Sequence, residues 1–159
     1  MTRTIIESKT KTTIIGFDQP FAVIGERINP TGRKKLALEL EVGDFSTVEA
    51  DAIAQVAAGA TILDINSGAV FANKMAEDPR YADNNFVEPP LMKDLIKRVQ
   101  AICDVPLCID SSVPGALKEG LEAAEGRPLL NSVTGEEERL ELVLPLVKKY
   151  NVPVVAISN

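Results

Sequence analysis

The stretch PLCIDSS, Pro106 to Ser112, decides the fold. It is an apolar run that ends abruptly in Asp110, Ser111 and Ser112. Pro114 then starts a helix with Leu117 and Leu121 on one side and a stop at Gly126. The same unit recurs on both sides of it. TILDINSG (Thr61 to Gly68) is a strand, and Pro89-Pro90 precede a helix with Leu91, Leu95, Val99 and Ile102 along one face. PLLNSV (Pro128 to Val133) is the next strand. The helix after it starts acidic at Glu136, Glu137 and Glu138 and ends basic at Lys148 and Lys149, as the helix dipole favours, with an apolar stripe of Leu140, Leu144 and Val147. Upstream, FAVIGERIN (Phe21 to Asn29) reads as a strand, and Ser46 to Glu49 reads as a capping box that opens a helix ending near Gly59. PVVAISN (Pro153 to Asn159) is a fifth strand.

Strands alternating with amphipathic helices imply parallel pairing and right-handed crossovers. A doubly wound sheet and a barrel both fit that alternation. The polar residues favour the barrel, because nearly every strand ends in Asp, Asn, Ser or Glu, and sites in (β/α)8 barrels are built from the C-terminal ends of several strands. No GxGxxG follows any strand, as a dinucleotide-binding sheet would require. The fold class read from the sequence is therefore α/β, a (β/α)8 barrel. A complete barrel takes roughly 250 residues, so only about the first five strand-helix units are expected here. Two unpaired parallel edges would result, and the chain reads as a fragment in preference to one closed by a partner. Residues 1–20 are expected to form an N-terminal extension or hairpin at the barrel base, with 21–159 as the N-terminal portion of the barrel. The polar stretch 69–88 is either a site-covering loop or a plain connection.

Composition narrows the function classes. The 159 residues are 45% hydrophobic and 25% charged, with a net charge of -6, which argues against a nucleic-acid surface. No apolar run approaches the ~20 residues of a membrane span, and no apolar signal core follows Met1, so a cytoplasmic protein is the default. Cys103 and Cys108 are too few for a disulfide scaffold and read as buried reduced thiols. With no histidine, Ser-His-Asp and Cys-His catalysis are excluded from this chain, and no metal site is expected. Carboxylates, amides, hydroxyls, Arg and Lys must carry the chemistry.

Asp110 ends an apolar strand and must be solvated in a barrel mouth or hydrogen-bonded. It could cap the following helix, but two serines stand closer to that task. Asn131 ends the neighbouring strand, and its carboxamide offers both donors and an acceptor to a heterocycle edge. A carboxylate beside it suits an amidine-like N–H pair, as in a pterin or guanine-like ring, although spacing alone does not single out a pterin. A structural Asn bonding a neighbouring loop is the other reading of Asn131. Asp64 and Asn66 alternate on their strand and point the same way. Arg27 and Asn29 share a face with Glu26 opposite, unless a bulge intervenes, and Glu26 with Arg27 could simply be an ion pair bracing the strand end.

GERINPTGRKK (Gly25 to Lys35), LDINSG (Leu63 to Gly68), PLCIDSS and LLNSV, in this order and spacing, closely resemble the pterin-binding methyltransferases. These include the methyltetrahydrofolate:corrinoid methyltransferases and the folate domain of cobalamin-dependent methionine synthase. The resemblance implies a (β/α)8 barrel that binds methyltetrahydrofolate in its mouth, commonly as a homodimer. It puts the family's pterin-contacting Asp on Asp110 and its Asn on Asn131, with supporting contacts at Glu26, Asn29, Asp64 and Asn66. The family's later-strand Asn, tied to activation of the methyl-bearing nitrogen, has no counterpart before the chain ends, so no catalytic residue is assigned. The expected activity is transfer of the N5 methyl group to a Co(I) corrinoid (cobalamin) on a partner protein, in one-carbon metabolism, with the missing strands required. The alternatives are a dihydropteroate synthase-like enzyme and a non-catalytic partial pterin-binding module. The first is disfavoured because Ser67-Gly68-Ala69 stands where that sister family has Ser-Thr-Arg-Pro.

Overall fold

In the computed structural model, which describes residues 2–158, an antiparallel hairpin comes first: β1 (Thr4–Glu7) and β2 (Thr12–Ile15). Five parallel strands follow, β3 (Ile24–Ile28), β4 (Ile62–Asn66), β5 (Leu107–Asp110), β6 (Leu129–Thr134) and β7 (Val154–Ile157). They lie side by side in chain order, as the consecutive staves of a barrel do. The helices are α1 (Lys34–Glu41), α2 (Ser46–Ala57), α3 (Ala72–Glu77), α4 (Asn84–Ile102), α5 (Pro114–Ala123) and α6 (Glu137–Tyr150). None of the described helices is long and apolar enough to cross a membrane.

The sheet is apolar on both faces near its base, as a parallel sheet covered on both sides must be. Outward-pointing Leu63, Ile65, Leu107, Ile109 and Leu130 pack with Val48, Leu95, Ile96, Val99 and Leu117 of the helices in the main core. Inward-pointing Ile62, Cys108 and Leu129 pack with Ile6 of the hairpin in a second cluster. Glu7 and Arg127 exchange two backbone hydrogen bonds of 2.9 Å, and the Arg127 guanidinium donates to the carbonyls of Ile5 and Asn151, both at 2.6 Å. The hairpin thus fills the floor of the barrel wall. Both cysteines are buried and reduced, as expected from their number.

Several local expectations are corrected. The Ser46–Glu49 capping box does not form: the Asp44 carboxylate accepts from Ser46 N–H at 2.9 Å, Ser46 is already helical, and Glu49 faces Arg98 at 3.4 Å. Pro89 and Pro90 do not precede α4 but lie inside it, because Asp83 caps the helix earlier by accepting from Asn85 N–H at 2.9 Å. The stripe of α6 is Leu140, Val143 and Val147, on three-and-four spacing. Leu144 falls on the flank and is 44% exposed, while Val143 is fully buried. Helix α1 was not anticipated. The stretch 69–88 is a packed segment, containing α3 and a 3-10 turn at Pro79–Ala82. Tyr81 meets Phe86 edge-on at 5.3 Å and Phe71 at 6.2 Å, and the buried Glu41 carboxylate accepts from Asn73 Nδ2 and Lys74 N–H. Asn159, the last residue of the fifth strand as read from the sequence, lies outside the described residues.

Candidate functional site

The register of the parallel strands puts three amide and carboxylate side chains in one row. Asn66 of β4 is level with Asp110 of β5, and Asp110 with Asn131 of β6. Because side chains alternate, Asp64 points to the same inner side one step deeper, level with Cys108, whose own partner in β6 is Leu129. The inner face therefore runs from the apolar floor up through Asp64 to the row of Asn66, Asp110 and Asn131 at the C-terminal strand ends.

Asn66 is committed at both ends of its carboxamide. Nδ2 donates to Asp110 Oδ2 at 2.9 Å, and Oδ1 accepts from Gly68 N–H at 2.8 Å. It holds the Asp110 carboxylate in place, and among the described residues Asp110 Oδ1 has no hydrogen-bond partner. Asp110 does not cap α5. Nor does a serine: Val113 is the N-cap of α5 with no side-chain bond, while Ser111 Oγ accepts from Val113 N–H at 2.9 Å in the turn before the helix and its hydroxyl donates to the buried Glu88 carboxylate at 2.6 Å.

Burial pushes the Asp110 carboxyl above the usual carboxylate range; the Asn66 hydrogen bond opposes this and the Glu26 carboxylate adds to it. Asp64 is 3% exposed, and its Oδ2 is buried without a hydrogen-bond partner. Burial, with the Asp110 and Glu26 carboxylates behind it, raises Asp64 to about 6, against the pull of the Cys108 thiol and the Asn131 carboxamide. The Cys108 thiol is itself driven far up by burial and by Asp64. Ser67, fully buried at the end of β4, also has an Oγ without a partner. Three carboxylates thus act on one another at the strand ends, and one of them, Asp64, keeps a buried oxygen without a partner. Such a site favours a ligand that presents N–H donors or positive character.

Glu26 follows Gly25, which is level with outward-pointing Leu63, so alternation turns Glu26 to the inner side. The β3–β4 register then slips between Gly25 and Ile28, and this brings Ile28 to the outer core beside Ile65. Among the described residues no ion pair joins Glu26 to Arg27. Arg27 instead donates its N–H to Gln55 Oε1 at 2.8 Å, and its carbonyl accepts from Arg33, which pairs with Asp51 at 2.6 Å. Asn29 shapes the β3–α1 loop, its Oδ1 accepting from Thr31 N–H at 2.9 Å, and among the described residues no hydrogen bond ties it to the row.

The sequence reading missed two contributors. Glu88 is a buried carboxylate on the apolar face of α4, and a lone Glu in that face was the signal for it. Arg139, in the first turn of α6, donates Nη1 to the carbonyl of Ser112 at 2.7 Å, and Nη2 to those of Ser111 at 3.1 Å and Ser132 at 3.3 Å. Its partners are backbone atoms, which no side-chain pattern announces.

These features define a stretch of (β/α)-barrel wall with a polar cluster at the C-terminal ends of its strands, where barrels of this kind carry their sites. The family described as pterin binding enzyme matches residues 25–159. The chain belongs to that family. Among curated proteins it is 32% identical over 127 residues to the methylcorrinoid:tetrahydrofolate methyltransferase of Eubacterium limosum, covering 78% of this chain and 40% of that protein. It is 30% identical over 153 residues to the methionine synthase of Mycobacterium leprae (strain TN), covering 92% of this chain and 12% of the other. The chain thus spans less than half the length of these relatives. Both relatives agree with the methyltransferase branch indicated by the GERIN, LDINSG and CIDSS segments.

Solved structures share the fold. Dihydropteroate synthase from Vibrio fischeri ES114 superposes with a TM-score of 0.54 at 19% identity, covering 96% of this chain and 50% of that one. The Xanthomonas albilineans enzyme in complex with 7,8-dihydropteroate gives 0.50 at 23% identity, covering 89% and 46%.

Proposed function

We propose that this chain is the pterin-binding part of a methyltransferase, which moves the N5 methyl group of methyltetrahydrofolate to a Co(I) corrinoid carried by a partner protein. The observation that carries the proposal is the row Asn66, Asp110 and Asn131, with Asp110 oriented by Asn66 and one of its oxygens without a hydrogen-bond partner among the described residues. A reduced pterin presents an amino group beside a ring N–H, a donor pair that a fixed carboxylate accepts well. The buried Asp64 oxygen that lacks a partner fits a further polar atom of such a ring. The protein works in the cytoplasm, as a homodimer.

The chemistry asked of these residues is orientation and electrostatics. A tertiary amine leaves poorly, so N5 must gain positive character as the methyl group departs. Glu26, Asp64 and Asp110 provide a negative surround that favours this, and Asp110 with Asn131 fixes the ring so that N5 faces outward. When bound, the corrinoid supplies the cobalt nucleophile that takes the methyl group. The Eubacterium relative is named for the exchange in the opposite direction; the demands on the N5 centre are the same either way.

Calorimetry on the intact protein tests this. Methyltetrahydrofolate binds the wild type, and Asp110→Ala weakens it by about tenfold or more, as loss of a charge-assisted hydrogen bond should. Equal affinity in the two proteins overturns the assignment of Asp110. Methylation of Co(I) cobalamin, followed by its absorbance, tests the reaction. No dihydropteroate is expected from pterin diphosphate and p-aminobenzoate, because Ser67-Gly68-Ala69 replaces the segment that chemistry uses.

A further inference from the structure

Asp110 and Asn131 sit on different strands, and the distance between their side chains depends on how the two strand ends are held together past the last ladder bond. The sheet does little of this. Among the described residues a single backbone bond, Ser111 N–H to Asn131 O at 3.3 Å, joins the strands there, and the β6–β7 register slips between Asn131 and Val133. The Arg139 guanidinium supplies the missing connection. It donates to the carbonyls of Ser111 and Ser112, the two residues after Asp110, and to that of Ser132, the residue after Asn131. The nitrogen Nη2 alone spans both strand ends, reaching Ser111 O and Ser132 O. Among the described residues Arg139 makes no salt bridge, so these contacts to three carbonyls are its polar engagement.

We infer that Arg139 is a positioning residue for ligand binding: its guanidinium clamps the β5 and β6 ends and sets the Asp110–Asn131 spacing. The inference rests on the proposed pterin site for its ligand, but the clamp itself is independent of what binds. A planar fork with fixed donor directions can hold two strand ends at one separation, which an ammonium on a flexible stem cannot. Ser111 is held from the opposite side by Glu88, through its hydroxyl. The residue after Asp110 is therefore fixed on both flanks, and Arg139 ties it to β6 beyond the single 3.3 Å bond from Ser111 N–H to Asn131 O.

A second arginine provides the control. Arg127 also spends its guanidinium on backbone carbonyls, those of Ile5 and Asn151, but at the floor of the wall, away from the row. A purely structural role predicts that Arg139→Met and Arg127→Met behave alike, losing stability and leaving the site as it was. Positioning predicts that they differ. The experiment uses the intact protein with methyltetrahydrofolate as the probe in calorimetry, and reads the side-chain amide cross-peaks of Asn66 and Asn131 by NMR. In Arg139→Met the two amide cross-peaks move and Kd rises by about tenfold. In Arg127→Met both stay near wild type. Arg139→Lys, which keeps the charge and most of the stem, falls between wild type and Arg139→Met and covers the case in which the methionine variant does not fold. Unmoved amide cross-peaks in the folded Arg139 variants overturn the inference, whatever binds. So does unchanged affinity when the wild type binds and Asp110→Ala does not. Failure of the wild type to bind methyltetrahydrofolate overturns the proposed ligand instead, and the amide cross-peaks still decide the clamp.

Discussion

Asn66 Nδ2 lies 2.9 Å from Asp110 Oδ2, and the same carboxamide accepts from Gly68 N–H at its other end, so the orientation of Asp110 is imposed by a neighbour with no freedom to flip. This hydrogen bond also holds the Asp110 carboxyl lower than burial and Glu26 alone would leave it. Asn66→Leu removes both effects. The Asp110 titration midpoint is expected to move up, and methyltetrahydrofolate affinity to fall by about tenfold at neutral pH. Carboxyl carbon NMR across the acid range reads the first and calorimetry the second; an unshifted midpoint contradicts the assigned role of Asn66.

Asp64 gives a pH signature. Its carboxyl, ordinarily near 3.8, is held at about 6 in the fold, chiefly by burial. The folded state then binds its proton more tightly than the unfolded chain does. Stability from this group is complete below the unfolded value and is lost as pH rises through the folded one, to about 3 kcal/mol. Asp64→Asn removes that loss. Relative to wild type the variant is expected to gain stability at pH ~7.5 and to gain little at pH ~4. Urea unfolding at the two pH values checks this, and a pH-independent difference between the proteins rules it out.

Ser111 joins the site to α4 and α5 at once. Ser111→Ala takes the acceptor from Val113 N–H and leaves the buried Glu88 carboxylate without its donor. A loss of about 2–3 kcal/mol in unfolding free energy is expected from the lost turn hydrogen bond and the stranded carboxylate together. The double variant Ser111→Ala with Glu88→Leu should recover part of it, since the stranded carboxylate goes with Glu88. A double variant no more stable than the single one would count against this account.

Gly126 has a φ of +86°, and a Cβ there would run into the carbonyl oxygen of Glu7. Gly126→Ala is expected to destabilise by about 2 kcal/mol or more, through strain at positive φ and displacement of the hairpin. Proton exchange at the Glu7 and Arg127 amides, which bond each other's carbonyls, should quicken selectively. Unchanged exchange at those two amides would be the contrary result.

What was legible from the residues alone follows a physical division. The alternation of apolar runs and amphipathic stretches, and the polar residues where strands stop, are periodic signals, and they place β4, β5, β6 and the row of Asn66, Asp110 and Asn131. The hidden parts depend on geometry that periodicity does not encode. One is the slip between Gly25 and Ile28 that puts both of those residues on the outer side with Glu26 facing inward between them. Another is the start of α2, where Phe45 is the N-cap and Asp44 accepts from Ser46 N–H, leaving Ser46 inside the helix. Helix α4 runs through two prolines because Asp83 starts it upstream, where proline spacing pointed to a later beginning. The Arg139 clamp rests on carbonyls, which every residue has and which therefore mark nothing in a sequence.

The hairpin under the barrel wall also bears on the order in which the fold can be completed. Ile6 finds its partners at Ile62, Cys108 and Leu129, and the Arg127 guanidinium bonds the carbonyl of Ile5, 122 residues away in the chain. Contacts of such long sequence separation pay loop-closure entropy before they return anything, which slows folding. During synthesis the apolar side of β1 has no complete seat until β6 has emerged. The floor of the barrel wall can therefore close only once β6 has joined it, although β1 precedes the other described strands in the chain.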